Sequence, residues 1–271
     1  MATNNEKLKG VLVDLTRCIG CRGCQVACKS WNERSVGKTV LDGTFTNPPE
    51  LNSDTYTRIA FIEQEKDNQP VWSFIKSQCM HCKDPACLSA CPVGAFSRTP
   101  EGAVNYNFEK CIGCRYCMVA CPFNIPKYEW RSTSPWIRKC TFCSDRLAAG
   151  KTPACIKVCP TNVMQFGQYD EIVKEAEKRL KENPGKYVDH IYGKEEAGGT
   201  SWIYLSAIPF EQLGFNTKIP NVKLPNLTWN MLSEIPVKVG ALVVGLSLIA
   251  AFRNRGSNAQ GSSESKNEKE K

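Results

Sequence analysis

The cysteines constrain this chain more than any other feature, because all sixteen fall into four groups of four. In chain order the groups are Cys18, Cys21, Cys24 and Cys28; Cys79, Cys82, Cys87 and Cys91; Cys111, Cys114, Cys117 and Cys121; and Cys140, Cys143, Cys155 and Cys159. A cubane iron–sulfur cluster is held by four cysteine thiolates. The grouping therefore predicts four [4Fe–4S] clusters with these cysteines as ligands.

The third group has the most specific spacing. Residues 111–122 have the sequence CIGCRYCMVACP, the C-x2-C-x2-C-x3-C-P run of bacterial ferredoxins, whose fourth cysteine binds a neighbouring cluster. The first group repeats this spacing without the proline. The second and fourth groups widen the middle gap to four and eleven residues and keep the terminal C-x3-C-P. Four such half-motifs are enough for two ferredoxin-like units.

Three other uses of the cysteines fit the sequence less well. Structural zinc sites usually consist of two separated C-x2-C pairs, without a third cysteine at the next step. A disulfide framework suits small secreted chains, whereas this chain has 271 residues and its first residues predict no signal peptide. Catalytic thiols are not expected, because every cysteine already belongs to a group of four.

The polypeptide has a net charge of +8, which by itself would favour nucleic acid or an anionic membrane. An oxidised [4Fe–4S] cluster contributes about −2 with its thiolates, so four clusters would add about −8. The loaded protein would be nearly neutral, and we expect no nucleic-acid partner. Basic residues that offset the cluster charge, or are ordinary surface charges, flank the groups: Arg17, Arg22, Lys29, Lys110, Arg115, Arg138 and Lys139.

Short strands and short helices alternate around the cysteine groups. Apolar or alternating stretches predict strands at 10–15, 55–62, 71–75, 104–108 and 163–166. Helical stretches are predicted inside the groups at 25–31 and 118–120. A strand beside each cysteine loop and a short helix within it predict an α+β fold built from ferredoxin-like repeats.

The chain changes character after the last cysteine group. An amphipathic packing helix is predicted over 169–181, with Asp170 as its N-cap and residues 183–185 as its end. The stretch 186–227 is rich in glycine and proline and predicts an extended surface arm. Such an arm serves partner contact or is merely an irregular loop.

An apolar segment near the C-terminus predicts a membrane anchor. Residues 239–252 carry no charge, but a helix of that length spans only about 21 Å of a bilayer core of about 30 Å. Extension past Lys238, which can snorkel, to Trp229 gives a transmembrane helix over 229–252. A helix buried against a partner is the alternative.

The residues that follow this segment predict a disordered tail over 253–271, because they are rich in Ser, Asn, Lys and Glu. Arg253 and Arg255 favour a cytoplasmic C-terminus, and Lys238 opposes this orientation.

The cysteine motifs resemble those of a known family. CIGCRGCQVACKSWNE, SQCMHCKDPACLSACPVGA, EKCIGCRYCMVACPFNIPKY and RKCTFCSDRLAAGKTPACIKVCPTNVMQFG look like four-cluster electron-transfer subunits of respiratory oxidoreductases. Two such subunits are the beta subunit of membrane-bound formate dehydrogenase and the ferredoxin-like subunit of a membrane-bound nickel–iron hydrogenase. The first motif resembles the formate dehydrogenase type more, and HIYGKEEAGGTSWIYLSAIPFEQLG the hydrogenase type. The predicted anchor is shared with both.

The resemblance implies how the cysteines are shared. In the family, the first and fourth groups form one ferredoxin-like unit, and the middle groups form a second unit nested inside it. Carried over by motif position, the ligand sets are Cys18, Cys21, Cys24 and Cys159; Cys140, Cys143, Cys155 and Cys28; Cys79, Cys82, Cys87 and Cys121; and Cys111, Cys114, Cys117 and Cys91. This implies a double domain over 1–168, with the nested unit at 79–128, and a helix-and-arm segment over 169–228.

The resemblance also implies conduction rather than catalysis. Electrons would arrive from a catalytic subunit containing molybdenum, tungsten or nickel–iron and leave to an integral membrane subunit that reduces quinone or carries cytochrome b. No nucleophile–base pair, phosphate loop or dinucleotide motif competes with this role. His81 is expected to donate to a cluster or contact the next redox group, and His190 to be structural or at a partner surface. A free-standing ferredoxin-like carrier or an assembly factor is the alternative.

Two observations predict different cellular compartments for the soluble domain. Residues 1–10 contain neither an apolar export region nor a twin arginine, which favours the cytoplasm. Relatives are often exported in folded form by a signal on the catalytic partner. We expect the cytoplasmic membrane, with the soluble domain on the periplasmic face and the C-terminus inside; the cytoplasmic face is the alternative.

Overall fold

The computed structural model describes residues 7–40, 43–66 and 68–267. Two compact units divide the chain, Met1–Pro225 and Asn226–Lys271. The elements are β1 (Lys9–Asp14), α1 (Gly23–Trp31), β2 (Thr57–Lys66), β3 (Gln69–Gln78), α2 (Ala86–Ser89), β4 (Phe96–Arg98), β5 (Val104–Tyr106), α3 (Tyr116–Ala120), β6 (Lys127–Tyr128), β7 (Ile137–Arg138), α4 (Ser144–Ala148), α5 (Ala154–Lys157), β8 (Met164–Gln168), α6 (Tyr169–Glu182), β9 (Trp202–Leu205), α7 (Leu224–Leu232) and α8 (Ile235–Asn267).

A three-stranded sheet organises the first unit. Its order is β8–β1–β9, with β1 antiparallel to β8 and parallel to β9. Successive residues of β1 alternate between the two faces. Leu12 packs with Ile172 of α6, whereas Val11 belongs to the core that contains Cys24 and Cys155. The sheet therefore separates the helix α6 from the cysteine-rich half of the unit.

The segment 186–227 is not the surface arm that the sequence predicts. It contains β9, whose four residues are each at most 1% exposed. A strand covered on both faces has a continuous apolar sequence, as WIYL does, and the glycines and prolines around it conceal this signal. The predicted boundary at residue 168 likewise falls inside the unit, because α6 and β9 both pack with β1.

Most predicted elements have counterparts in the structure. The strands at 10–15, 104–108 and 163–166 correspond to β1, β5 and β8, and the helix at 169–181 to α6. The hairpin β2–β3 is longer than predicted and pairs ten residues of each strand. Asp170 is not the N-cap of α6, because Gln168 occupies that position and Asp170 lies in the first turn, where its charge favours the helix dipole.

The described part of the second unit is helical apart from a turn at 233–234. The stretch Leu224–Arg253, which includes the predicted anchor at 229–252, is long and apolar enough to cross a membrane, and its most apolar window of 18 residues has a mean hydropathy of 2.1. The tail predicted to be disordered is instead helical as far as Asn267, and residues 268–271 lie outside the described residues. Extending an existing helix is easier than nucleating one, so α8 continues into the polar sequence.

Candidate iron–sulfur sites

The loops of the first and third cysteine groups share one backbone conformation. Gly20 and Gly113 precede the second cysteine with φ of 68° and 71°, a region that favours glycine. Arg22 and Arg115 follow that cysteine with φ of 58° and 64°, and α1 and α3 begin directly after them. The repeated CIGC sequence therefore folds into a repeated loop, as two copies of one cluster-binding motif should.

Both loops are entered from the same supporting structure. A strand, β1 or β5, leads into a 3-10 turn that ends at the first cysteine of the group. The Asp14 carboxylate accepts the N–H of Thr16 at 3.2 Å, and the Asn107 side chain accepts the N–H of Glu109 at 2.9 Å. These local hydrogen bonds close the turn and hold the start of each cysteine loop.

The second and fourth groups repeat a different arrangement. His81 and Phe142 stand directly before the second cysteine of their groups, with φ of 49° and 57°. Their rings stack with centroids 4.9 Å apart, and both are buried. Pro85 and Pro153 occupy the N-cap positions of the helices that carry the third cysteine, α2 and α5. The stacked pair joins the second and fourth groups in the interior.

One cavity is lined by cysteines of the first and fourth groups. Its walls contain Ile59, Lys76 and Met164 together with Cys18, Cys21, Cys24 and Cys159. Burial raises the pKa of Cys24 to about 11, and the Lys76 ammonium opposes this rise. The structure thus brings the four cysteines of the first implied ligand set around one space.

A second cavity is lined by the other cysteines of these two groups. Its walls contain Thr57, Lys76 and Trp202 together with Cys28, Cys140, Cys143 and Cys155. Burial and, to a smaller extent, the nearby Cys155 raise the pKa of Cys28 to about 12. Cys28 therefore lies with the fourth group, although it follows the first three cysteines in sequence.

Thiols of the two middle groups are also neighbours of one another. Burial raises the pKa of Cys82 well above its usual range, and the thiols of Cys79 and Cys121 add to this. Burial also raises the pKa of Cys117 to about 12, with contributions from its neighbours Cys111, Cys114 and Cys91. Cys121 thus lies beside the second group and Cys91 beside the third.

The spread of the thiols fits a cluster better than a single metal ion. A tetrahedral zinc site would bring its sulfurs to roughly 4 Å from one another, because each lies about 2.3 Å from the metal. Within the described ranges, no three Cys, His, Asp or Glu side chains converge closely enough to hold one ion. In a cubane each thiolate binds a different iron atom, so the ligands surround a larger space. Each of the two cavities described above is lined by four cysteines, the number that a cubane requires.

Backbone amides donate to the cysteine sulfurs of one implied ligand set. The N–H of Gly113 lies 3.4 Å from Sγ of Cys111, and the N–H of Ala95 lies 3.2 Å from Sγ of Cys91. Hydrogen bonds to the ligand sulfurs of a cluster stabilise its reduced, more negative form. The chain thus supplies polar contacts that suit a bound cluster.

Two lysines are buried among the cysteine groups. Lys139, one of the seven flanking basic residues, is 6% exposed, and its Nζ donates to the carbonyls of Val104 and Cys140. The other six are partly or fully exposed. Lys76 is 2% exposed and lines both cavities, and it is not among the residues predicted from the sequence. A lysine in a strand is usually a surface residue, and nothing in the pattern of β3 marks this one as buried.

The two histidines are held by protein contacts. His81 is fully buried, and its Nδ1 accepts the N–H of Val104 at 2.9 Å. Burial lowers the pKa of His81 well below its usual value, so the ring is neutral with its proton on Nε2. His190 lies on the surface side of the buried Glu196, with 2.6 Å between Nε2 and Oε1. Donation from His81 to a cluster stays a prediction, and the contact with Glu196 gives His190 a structural role.

Comparison with known proteins identifies the family to which these cysteine motifs belong. Residues 17–95 and 70–169 each match a family described as a 4Fe-4S dicluster domain. The formate dehydrogenase iron-sulfur subunit of Haemophilus influenzae is 34% identical over 258 residues, which cover 92% of this chain and 81% of that protein. The chain belongs to this family of iron–sulfur subunits. The resemblance predicted from the cysteine motifs is therefore confirmed, and the chain is an electron-transfer subunit that binds [4Fe–4S] clusters.

Two further relatives carry names from two kinds of complex. The nitrate-inducible formate dehydrogenase iron-sulfur subunit of Escherichia coli K12 is 41% identical over 199 residues, or 72% of this subunit and 66% of that protein. The hydrogenase-2 operon protein HybA of Escherichia coli O157:H7 is 36% identical over 235 residues, which cover 75% of this subunit and 71% of that protein. The iron–sulfur subunit described here thus spans about two thirds of the length of these relatives.

Proposed function

We propose that this iron–sulfur subunit holds four [4Fe–4S] clusters in two ferredoxin-like units, one nested in the other, and conducts electrons through them. The proposed ligand sets are those implied by the family resemblance. The observation that carries the proposal is the pair of cavities, because each is lined by three cysteines of one group and one of another. Bound clusters supply one-electron carriers. The protein itself holds the thiolates, excludes water and offsets the cluster charge.

We place the subunit between a catalytic subunit of the formate dehydrogenase type and a membrane subunit that reduces quinone or carries cytochrome b. The names of two relatives and the apolar stretch Leu224–Arg253 support this placement. The equivalent position in a nickel–iron hydrogenase is the second candidate, favoured by the match to HybA. The proposed sites are cluster ligands throughout, so catalysis is assigned to the partner.

The ligand exchange is tested with a pair of serine variants. Cys28→Ser should remove or alter the electron paramagnetic resonance (EPR) signal of the cluster held by the fourth group, because Cys28 lines that cavity. Cys24→Ser, one turn earlier in α1, should affect the cluster held by the first group instead. If both variants affect the same signal, the exchange is wrong. Iron and sulfide analysis of the unaltered subunit, expected at about sixteen of each if four cubanes bind, tests the number of clusters.

The partner is tested by metal analysis of the complex extracted gently in detergent. Molybdenum or tungsten would support the formate dehydrogenase type, whereas nickel without either would favour the hydrogenase type. Membrane side is tested separately with right-side-out spheroplasts. Added protease should digest the first unit if it lies on the periplasmic face and leave it intact if it lies on the cytoplasmic face.

A further inference from the structure

Lys76 is a buried cation between two of the cysteine-lined cavities. Lys76 belongs to β3, where it pairs with Ile59 of β2, and only 2% of its surface is exposed. It lines the cavity of Cys24 and also the cavity of Cys28. Among the described residues, no other charged side chain lines both of these cavities.

Neutral groups hold the Lys76 ammonium in place. Its Nζ donates to Oγ1 of Thr57 and to Oε1 of Gln78, both at 2.8 Å, and lies 4.6 Å from the centre of the Trp202 ring. The Gln78 amide in turn donates to Oη of Tyr204 at 2.6 Å, which fixes the amide with its oxygen toward Lys76. The position of the charge is therefore set by a hydrogen-bonded network and not by an ion pair.

Within the described part of the chain, the charge of Lys76 has no carboxylate partner. Among the described residues, no Asp or Glu side chain lies within ion-pair distance of Nζ. An uncompensated buried charge is costly, so a native protein keeps one only where a counter-charge is present. Cysteines line both cavities beside Lys76, with Cys24 in one and Cys155 in the other. The groups able to balance the ammonium are thus the sulfur ligands on its two sides.

We propose that Lys76 is a shared counter-ion for the two clusters bound by the first and fourth cysteine groups and that it raises the reduction potential of both. This inference rests on the proposed ligand sets. Reduction adds one electron to a cluster and breaks no bond, so a fixed positive charge nearby stabilises the reduced form. Because the ammonium lies between the two cavities, one residue sets the potentials of two neighbouring carriers together.

The test is a potentiometric titration of the full-length protein followed by EPR, with Lys76→Met as the main variant. The two relevant signals are those that Cys24→Ser and Cys28→Ser identify. Lys76→Met should lower the equilibrium constant for reduction of both clusters at least tenfold, a shift of 59 mV for a one-electron couple. For the two clusters of the nested unit, the equilibrium constant for reduction should change by less than threefold.

Two control variants separate charge from structure. Thr57→Val removes one hydrogen bond to Nζ and keeps the charge, so both constants should stay within threefold of the unaltered protein. Lys139→Met removes the other buried lysine, which neighbours Cys87 and Cys121. This variant should lower the reduction potential of a nested cluster and leave that of the cluster that includes Cys24 unchanged. The inference would be overturned if Lys76→Met left both reduction potentials unchanged. It would also be overturned if Lys139→Met shifted the potential of the cluster that includes Cys24 as far as Lys76→Met does.

Loss of clusters is also informative. If Lys76→Met fails to retain the two clusters, Lys76→Arg is titrated instead. If Lys76→Arg retains the two clusters, and their equilibrium constants for reduction stay within threefold of those in the unaltered protein, the role of the charge is upheld. Loss of the clusters from Lys76→Arg overturns it. If the unaltered protein lacks four clusters, the proposed function fails; if it has them and Lys76→Met leaves them unchanged, only the role of Lys76 fails.

Discussion

Replacing Gly20 by alanine tests how far the first cysteine loop depends on the hairpin β2–β3. With φ at 68°, a Cβ on residue 20 would lie 2.8 Å from the ring of Phe74 and 3.1 Å from that of Phe61. These rings also pack on each other, with centroids 5.0 Å apart, so neither can withdraw freely. The left-handed backbone costs an alanine about 1–2 kcal/mol, and overpacking adds about 1–3 kcal/mol.

Gly113 provides a matched control for this substitution. It occupies the same motif position with φ at 71°, but its Cβ would approach nothing closer than Oη of Tyr128 at 3.3 Å. The backbone cost is common to both variants, so their difference isolates the contact with Phe61 and Phe74. A difference of about 1–3 kcal/mol corresponds to roughly 5–150-fold in the equilibrium for local opening.

The assay is the release of iron to a chelator, which follows local opening when reclosing is fast. Relative to the unaltered protein, Gly20→Ala should accelerate loss of its cluster roughly 5–150-fold more than Gly113→Ala accelerates loss of its own. The EPR spectrum before and after release identifies which cluster is lost. Equal acceleration in the two variants would show that the aromatic contact does not limit opening, and the reasoning would be wrong.

Three further predictions concern the fold and the C-terminal unit. Arg179→Met should lower the free energy of unfolding by about 3 kcal/mol, because Arg179 pairs with the buried Asp14 at 3.1 Å. The control Lys178→Met lies on the exposed face of α6 and should change the free energy of unfolding by less than about 0.5 kcal/mol. Similar thermal unfolding of the two variants would contradict this. Ala176→Leu should cost about 1–3 kcal/mol, since Ala176 has no exposed surface; an unchanged melting temperature would count against the packing described. Deletion of 226–271 should give an isolated chain that stays in the aqueous phase with its iron content unchanged, and membrane retention of that chain would oppose the anchor.

Local features of the sequence were predictable where the signal lies within a few neighbouring residues. The two CIGC stretches have matching loops, with glycine and arginine at the same left-handed positions. The apolar, β-branched run of β1 and the apolar face of α6 likewise predict elements that the structure contains. In each case the backbone conformation depends on residue types close together along the chain.

Other features depend on contacts between distant residues. The strand β9 is buried because β1 and the covering side chains lie against it, and its sequence of four residues between turn-forming stretches does not predict this. Lys76 is a polar residue in a hairpin strand, and only the approach of α1 and the fourth cysteine group places it in the interior. Helix beyond residue 253 continues an apolar helix that began at Ile235.

The sequence by itself determined the kind of cofactor, because the spacing of ligands within one loop is a local property and matches a cubane cluster. The tertiary structure decided which cysteines share a space. Cys28 lies one turn after Cys24 in α1, yet each lines a different cavity. Packing of α1 against the fourth group directs these two side chains to opposite cavities, and the same packing encloses Lys76 between them.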